Sequence, residues 1–252
     1  MMGAVIKSST EIERMRQAGR IVALILERLG HEIRPGMATA ELDELTVREA
    51  ERYGVTPSFK GYHGYPANLC VSVNDEVVHG IPGDRVLREG DIVSLDFGAI
   101  YEGLQADAAV TVGVGQISSE AQRLVEATQG ALMAGIQRCR PGARLGDVSA
   151  AIQEYVESRG FSVVREYSGH GVGRELHEDP QVPNFGSPGS GPRLRQGMTL
   201  ALEPMVNAGG WLTRVAPNHW TVLTADSSLS AHFEHTIVIA AGGAEVLTDL
   251  VR

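Results

Sequence analysis

Two stretches of the chain carry the same pattern: REGDIVSLDFG at residues 88–98 and RQGMTLALEPM at residues 195–205, offset by 107 positions. Both read as strands. In the first, Val93, Leu95 and Phe97 fall on one face and Ile92, Ser94 and Asp96 on the other. In the second, Met198, Leu200 and Leu202 share a face, with Thr199, Ala201 and Glu203 opposite. Asp96 and Glu203 are therefore equivalent acids near the ends of equivalent strands. Each has a small residue two positions earlier on its own face, which leaves room beside the carboxyl.

The repeat extends outward from this pair. Arg34-Pro35-Gly36 recurs as Arg140-Pro141-Gly142, and Gly61-Tyr62-His63-Gly64 matches Ser168-Gly169-His170-Gly171, at offsets of 106 and 107. After each RPG comes a helix-like stretch that stops at a glycine, Gly54 in one copy and Gly160 in the other. Near the start, Thr10 and Glu13 have capping-box spacing ahead of an apolar helix pattern running to Gly30. Ser119 and Gln122 open the equivalent helix of the second half. A nearly constant offset over separate matches predicts two similar halves, roughly 10–115 and 118–250, packed around one centre. Each half reads as two helices followed by strands. The expected class is α/β (α+β), as a single domain over residues 1–252. No GxGxxG follows a first strand, which argues against a nucleotide-binding doubly wound sheet.

Two more acids lie in β-prone sequence. Asp107 sits in ADAAVTVGV and Glu234 opens EHTIVIA, now at an offset of 127. About twenty extra residues must lie in the second half, and the segment from Trp211 to Ser230 is the candidate. Taken singly, each acid reads as a strand-end carboxylate facing water. Taken together they do not, because the repeat brings all four to one centre. Four carboxylates in an apolar pocket repel one another and each bears a desolvation cost. Protonation or cations relieve this, and two divalent ions are the simplest solution. Histidines stand close by in sequence turns: His170 and His177 in GHGVGRELHEDP, and His79 in NDEVVHGIP. His63 matches His170 through the repeat and is expected to support the pocket rather than bind metal. Serine-nucleophile, P-loop and HExxH patterns are missing, and nothing assigns a base to Cys70.

Composition narrows the rest. The chain has 252 residues, 43% hydrophobic and 21% charged, which suits a globular protein and not a disordered one. A net charge of −9 removes the counterion-release drive for non-specific nucleic-acid binding, so no DNA partner is expected. The two cysteines, Cys70 and Cys139, cannot build a disulfide framework or a four-Cys zinc site. The longest apolar run, residues 21–26, is far too short to cross a membrane, and the polar N-terminus is no signal peptide. A soluble, reduced, cytoplasmic protein is expected, and nothing demands more than a monomer. Arg14, Arg16, Arg20 and Arg28 cluster on the first helix. They read first as a solvated face, and second as a place for transient ribosome contact.

At these motifs the sequence resembles type I methionine aminopeptidase, a family of the pita-bread fold. GYHGYPANLCVSVNDEVVHGIP, SLDFG with ADAAVTV, GHGVGRELHEDP, LEPM and FEHT stand in the family's order over nearly the whole chain. The resemblance implies a curved, mainly antiparallel sheet with helices outside. It implies two divalent metal ions (Mn, Fe(II), Co or Zn) held by Asp96, Asp107, His170, Glu203 and Glu234. It gives Glu203 the role of general base, His177 that of stabilising the scissile carbonyl oxygen, and His79 a place near the scissile nitrogen. Tyr62, Tyr65, Cys70, Leu176 and Trp220 would line a slot for the methionine side chain. The implied substrate is the N-terminus of a nascent polypeptide whose second residue is small. Alternatives on the same fold are a proline-directed peptidase and a catalytically silent ribosome-associated homologue. The family's proline-directed relatives carry an extra N-terminal domain, and this chain resembles the short bacterial form without a zinc-binding extension. Two departures bear on the pocket: Leu176 replaces a usual aromatic, which would loosen one wall, and His232 stands where glutamine is common.

Overall fold

The computed structural model describes residues 4–249. The first half runs α1 (Ser9–Glu32), α2 (Thr39–Tyr53), β1 (Thr56–Pro57), a 3-10 turn (Tyr62–Gly64), β2 (Cys70–Val73), β3 (Glu76–Val78), β4 (Ile92–Tyr101) and β5 (Leu104–Gly113). The second runs α3 (Ser119–Ile136), α4 (Leu145–Glu157), β6 (Ser162–Val163), β7 (Ser168–Gly171), β8 (Glu178–Pro183) and β9 (Thr199–Leu202). It continues through β10 (Met205–Asn207), β11 (Thr213–Val215), β12 (Val222–Thr224), β13 (Ser230–His232), β14 (Glu234–Ala240) and β15 (Gly243–Val246). The pattern of two helices and then strands occurs twice, as the repeat implies.

The main sheet has nine strands along the path β1-β4-β5-β14-β9-β7-β8, with β2 added to β4 and β15 to β14. Its neighbouring strands pair antiparallel. The two halves meet where β5 pairs with β14, Ala109 opposite Glu234 and Ala108 opposite His235. On either side of this joint stand β4 and β9, the strands that carry the repeated REGDIVSLDFG and RQGMTLALEPM stretches.

Alternation along those strands sorts their side chains as expected. Val93, Leu95 and Phe97 enter one core cluster with Val22, Ile25 and Leu29 of α1 and Leu42 of α2. Leu200 and Leu202 enter another with Leu124 and Leu132 of α3 and Val148 and Ile152 of α4. Each fully buried Leu or Phe contributes roughly 1.5–3 kcal/mol. Burying one face under a helix pair leaves the other face, with Asp96, free to line a cavity.

Helix starts differ from the sequence reading. Ser8, not Thr10, caps α1: its hydroxyl accepts from the Glu11 N–H at 3.3 Å, and the Glu11 carboxylate accepts from the Ser8 N–H at 2.8 Å. Both Ser8-x-x-Glu11 and Thr10-x-x-Glu13 have box spacing. The earlier box adds helix length, and Glu13 instead pairs with Arg16. Gly30 does not end this helix, which continues to Glu32. In the second half Ser118, not Ser119, is the cap, accepting from the Ala121 N–H at 3.1 Å. Gln122 turns away and donates to Glu126.

The extra residues of the second half fold as a hairpin. Strands β11 and β12 pair, and β12 continues onto β3 of the first half, Val222 opposite Val78. Before and after this excursion, β10 and β13 pair with Met205 opposite His232. In the first half the corresponding hairpin, β4–β5, closes directly, with Tyr101 opposite Leu104.

Candidate metal centre

The repeat places the acids across adjacent strands. Asp96 is on β4, Asp107 on β5, Glu234 opens β14, Glu203 follows the last residue of β9, and His170 is on β7. One ligand atom each from Asp107, His170 and Glu234 lie within 4.8 Å of one another, and all three residues are buried. Nε2 of His170 stands 3.6 Å from Asp107 Oδ2 and 3.5 Å from Glu203 Oε1.

Close backbone approach explains the glycines around His170. A Cβ on Gly169 would lie 2.3 Å from the Ala201 carbonyl oxygen, and one on Gly171 would lie 2.4 Å from that of Asp179. Only glycine lets β7 lie this tightly between its neighbours. The His170 Nδ1–H donates to the Gly171 carbonyl at 2.8 Å, which turns the Nε2 lone pair toward the acids. Thr236 buttresses Asp107, its hydroxyl 3.1 Å from Oδ1 and 2.8 Å from the main-chain oxygen.

Burial, followed by neighbouring acids, pushes the carboxyls of Asp96, Glu203 and Glu234 well above the usual carboxylate range. Burial raises Asp107 to about 6, with His177 and the Thr236 hydroxyl holding it down. Burial also drives the imidazoles toward the neutral form: His170 and His79 down to about 4, and His232 to about 3. His177 falls to about 4, first through desolvation in the cavity wall and then through His170 beside it. Neutral imidazoles next to raised carboxyls are the arrangement a cation would stabilise.

The donor set fits a divalent cation. Asp96 Oδ1 and Glu234 Oε1 are buried without a hydrogen-bond partner among the described residues. Orphaned buried carboxylate oxygens are costly, and oxygen-rich sets with one imidazole suit first-row divalent metals.

These groups floor a cavity of about 190 Å³. Its lining brings together all twelve residues expected from the sequence: His79, Asp96, Asp107, His170, His177, Glu203 and Glu234, with Tyr62, Tyr65, Cys70, Leu176 and Trp220. His63 also lines it, ring edge-on to Tyr62 at 4.4 Å. Phe59 was not anticipated. It packs with Tyr65, Ala67, Cys70 and Leu176 in one apolar cluster, so Leu176 has an aromatic neighbour on its side of the slot. The Tyr65 hydroxyl donates to the Gly80 carbonyl at 2.8 Å, and its ring meets Trp220 edge-on at 5.2 Å. Trp220 is held by a turn in which the Asn218 side chain accepts from the main-chain N–H of Trp220 and of Thr221. The Cys70 thiol is pushed up by burial and then by Asp96, and stays neutral.

His79 adopts φ +59, unusual for a non-glycine residue. Next to it, Gly80 lies tight against β2: a Cβ there would sit 2.1 Å from the Val71 carbonyl oxygen, and the Val71 N–H donates to the Gly80 carbonyl at 2.9 Å. Such strain costs of order 1–3 kcal/mol and tends to collect at functional sites. His232 was noted from sequence but not placed. Its Nε2 is buried without a partner and faces Glu203 Oε2 at 3.8 Å.

Residues 13–241 match the model of metallopeptidase family M24. The chain belongs to that family. This M24 chain is 52% identical over 245 residues to a methionine aminopeptidase of Clostridium acetobutylicum, covering 97% of this chain and 98% of that one. The crystal structure of a methionine aminopeptidase from Thermotoga maritima matches with a TM-score of 0.97 at 52% identity, over 98% of this chain and all of that one. An Xaa-Pro dipeptidase from Bacillus anthracis matches at a TM-score of 0.79 and 25% identity, over 99% of this chain but 63% of that one. The sheet and four helices are the M24 pita-bread fold: a curled antiparallel half-barrel with helices outside.

Proposed function

We infer that this M24 chain is a methionine aminopeptidase, a hydrolase that removes the N-terminal methionine from nascent chains whose second residue is small. One observation carries the reading most. Acids from two homologous halves and His170 meet at the floor of one cavity whose remaining wall is an apolar, aromatic slot. A slot of Phe59, Tyr65, Trp220, Leu176 and a neutral Cys70 suits a flexible thioether side chain. The proline-directed alternative is not favoured, given 52% identity to methionine aminopeptidases against 25% to the dipeptidase.

The residues that would hold metal are Asp96, Asp107, His170, Glu203 and Glu234, with two cations as the proposed number and Mn, Fe(II), Co or Zn as the candidates. When bound, such a pair supplies Lewis acidity and cancels the charge of the four carboxylates. The chain's own groups do the rest. With its charge balanced, the Glu203 carboxylate accepts a proton from the attacking water. The neutral His177 ring donates an N–H to the carbonyl oxygen as negative charge develops there. His79, ring edge-on to Trp220 at 6.4 Å, stands at the border of slot and acids. There it borders the departing nitrogen and can relay to it the proton that Glu203 takes from the water, accepting one proton for each it gives. Closure of the slot by the aromatic wall keeps bulk water from the apolar side.

Cytoplasmic location, action as a single catalytic domain over residues 1–252, and a monomeric state complete the proposal. No helix among the described residues is long and apolar enough to cross a membrane. Ribosome contact through α1 finds little support. Arg14 pairs with Glu102, Arg16 with Glu245 and Arg28 with Glu32, so Arg20 is the one of the four with no ion pair among the described residues.

The test is a Met-X peptide panel with Mn(II)-loaded protein. Efficient release of Met from Met-Ala-Ser, with steep loss when X is Leu or Arg, is the expected result. Cleavage of Xaa-Pro dipeptides without cleavage of Met-Ala-Ser would overturn it.

A further inference from the structure

Tyr62 and His177 come from opposite halves of the chain. Tyr62 belongs to the 3-10 turn after β1, and His177 to the turn between β7 and β8. Their rings lie 5.2 Å apart with a 31° tilt, and the Tyr62 hydroxyl stands 2.8 Å from Nδ1 of His177. That is the one hydrogen bond the His177 side chain makes among the described residues, and the only one for the Tyr62 hydroxyl. His177 Nε2 carries no protein partner, and the ring borders the cavity 4.1 Å from the ring of His170.

A neutral imidazole carries its proton on one nitrogen, and the partner of the other nitrogen decides which. A ring that is to donate toward the cavity must be protonated on Nε2. Nδ1 is then an acceptor and needs a donor. A tyrosine hydroxyl can donate or accept, and with no other acceptor in reach its proton is free for Nδ1.

We infer that the Tyr62 hydroxyl is a positioning group: it donates to Nδ1 of His177, selects the tautomer protonated on Nε2, and aims that N–H into the cavity. Its kinetic consequence rests on the aminopeptidase reading, in which His177 stabilises the scissile carbonyl oxygen. Tyr62 thereby has two separable parts, a ring that walls the slot and a hydroxyl that sets a neighbour.

The Tyr62→Phe variant keeps the ring and removes the hydroxyl. At pH 8 with Mn(II), kcat on Met-Ala-Ser is expected to fall about tenfold or more, with KM within about twofold of the parent, as for loss of an interaction made in the transition state. Tyr62→Leu, which removes the wall as well, should raise KM in addition. The independent readout needs no turnover. Nitrogen-15 NMR of histidine-labelled, zinc-loaded protein, with the His177 signals assigned by their loss in His177→Ala, should show the parent as the Nε2–H tautomer. Tyr62→Phe should shift those signals toward a tautomer mixture. A parent protonated on Nδ1, or a Tyr62→Phe protein with unchanged kcat and an unchanged spectrum, overturns the inference. If His177→Ala itself keeps full turnover, the aminopeptidase role of His177 fails instead, and the tautomer spectra still decide the hydrogen bond.

Discussion

Asp96 and Glu203 reach the cavity for the same reason. Each lies on the face of its strand that the helix pair leaves open, and each has Ser94 or Ala201 two positions earlier to make room. Such logic is legible in a sequence, because strand alternation converts spacing into direction. Phe59 was not legible. It has no counterpart in the repeat and no periodic neighbours, and its place depends on Gly98, where a Cβ would come 2.9 Å from Phe59 Cε1. His232 was visible as an unusual residue, but its approach to Glu203 follows from β10–β13 register, which no local pattern announces. At this scale the roles are testable one by one. Glu203→Ala and His177→Ala are each expected to lower kcat on Met-Ala-Ser by about a hundredfold or more, the usual worth of a general base or an oxyanion donor. Circular dichroism melts should place both variants among folded proteins. A metal-loaded variant with near-parental kcat would remove that residue from the mechanism.

At the level of elements, the turn that carries Leu176 and His177 is tied down from a distance. Lys7 Nζ meets Glu178 Oε2 at 2.5 Å with both side chains buried, and the other Glu178 oxygen accepts the Arg174 N–H at 2.8 Å. The Lys7 N–H in turn donates to the Gly197 carbonyl at 2.8 Å, just ahead of β9. Breaking a buried pair leaves an uncompensated charge, so Lys7→Met is expected to destabilise the protein by about 3–5 kcal/mol. Chemical denaturation measures that loss directly, and a change under 1 kcal/mol, roughly the worth of a surface pair, would show the pair to be energetically idle. The sequence signals nothing here, since Lys7 and Glu178 stand 171 positions apart. Helix caps were legible as a type but misplaced by two residues in α1, because two overlapping boxes compete, and Ser8-x-x-Glu11 forms while Glu13 pairs with Arg16. The hairpin of β11 and β12 was legible as an excess of length, while its docking onto β3 was not. Gly169→Ala belongs to this scale too. The added Cβ would meet the Ala201 carbonyl at 2.3 Å, so β7 must part from β9 and His170 must move. Metal binding measured by calorimetry should weaken about tenfold or more, as when a ligand's support is lost; affinity within a factor of two would sink the account of that glycine.

For the whole molecule, duplication puts the joint between β5 and β14 at the centre and directs acids from both sides toward it. That concentration of charge has a consequence for folding. Asp96, Glu203 and Glu234 hold their protons more tightly in the folded chain than in the unfolded one, chiefly through burial, and Asp107 titrates at about 6. Stabilisation from groups raised in this way is complete below the unfolded carboxylate range, near ~4, and is lost as pH rises through the folded values. The histidines act in the opposite sense. His79, His170 and His177, lowered to about 4, stabilise above the unfolded value of ~6.5 and lose that contribution as pH falls toward 4. Above about pH 7 these histidines are close to neutral in both states, so the slope of their contribution fades and the raised acids remain, joined toward pH 9 by the buried Cys70 and Cys139 thiols, which burial also raises. Metal-free protein is therefore expected to lose stability as pH rises above about 7, for as long as Asp96, Glu203 and Glu234 keep their protons in the folded state. The loss approaches about 1.4 kcal/mol per pH unit for each carboxyl still releasing its proton on folding's reversal, or a fall in Tm of about 2–4 °C per kcal/mol. Bound cations ionise the same carboxyls in the folded state throughout that range, so loading with Mn(II) should flatten the slope as well as raise Tm. Paired thermal melts of chelated and loaded protein across that range make the comparison. Parallel slopes would mean that the four acids do not share one electrostatic environment, and the duplicated halves would then need another reason to converge.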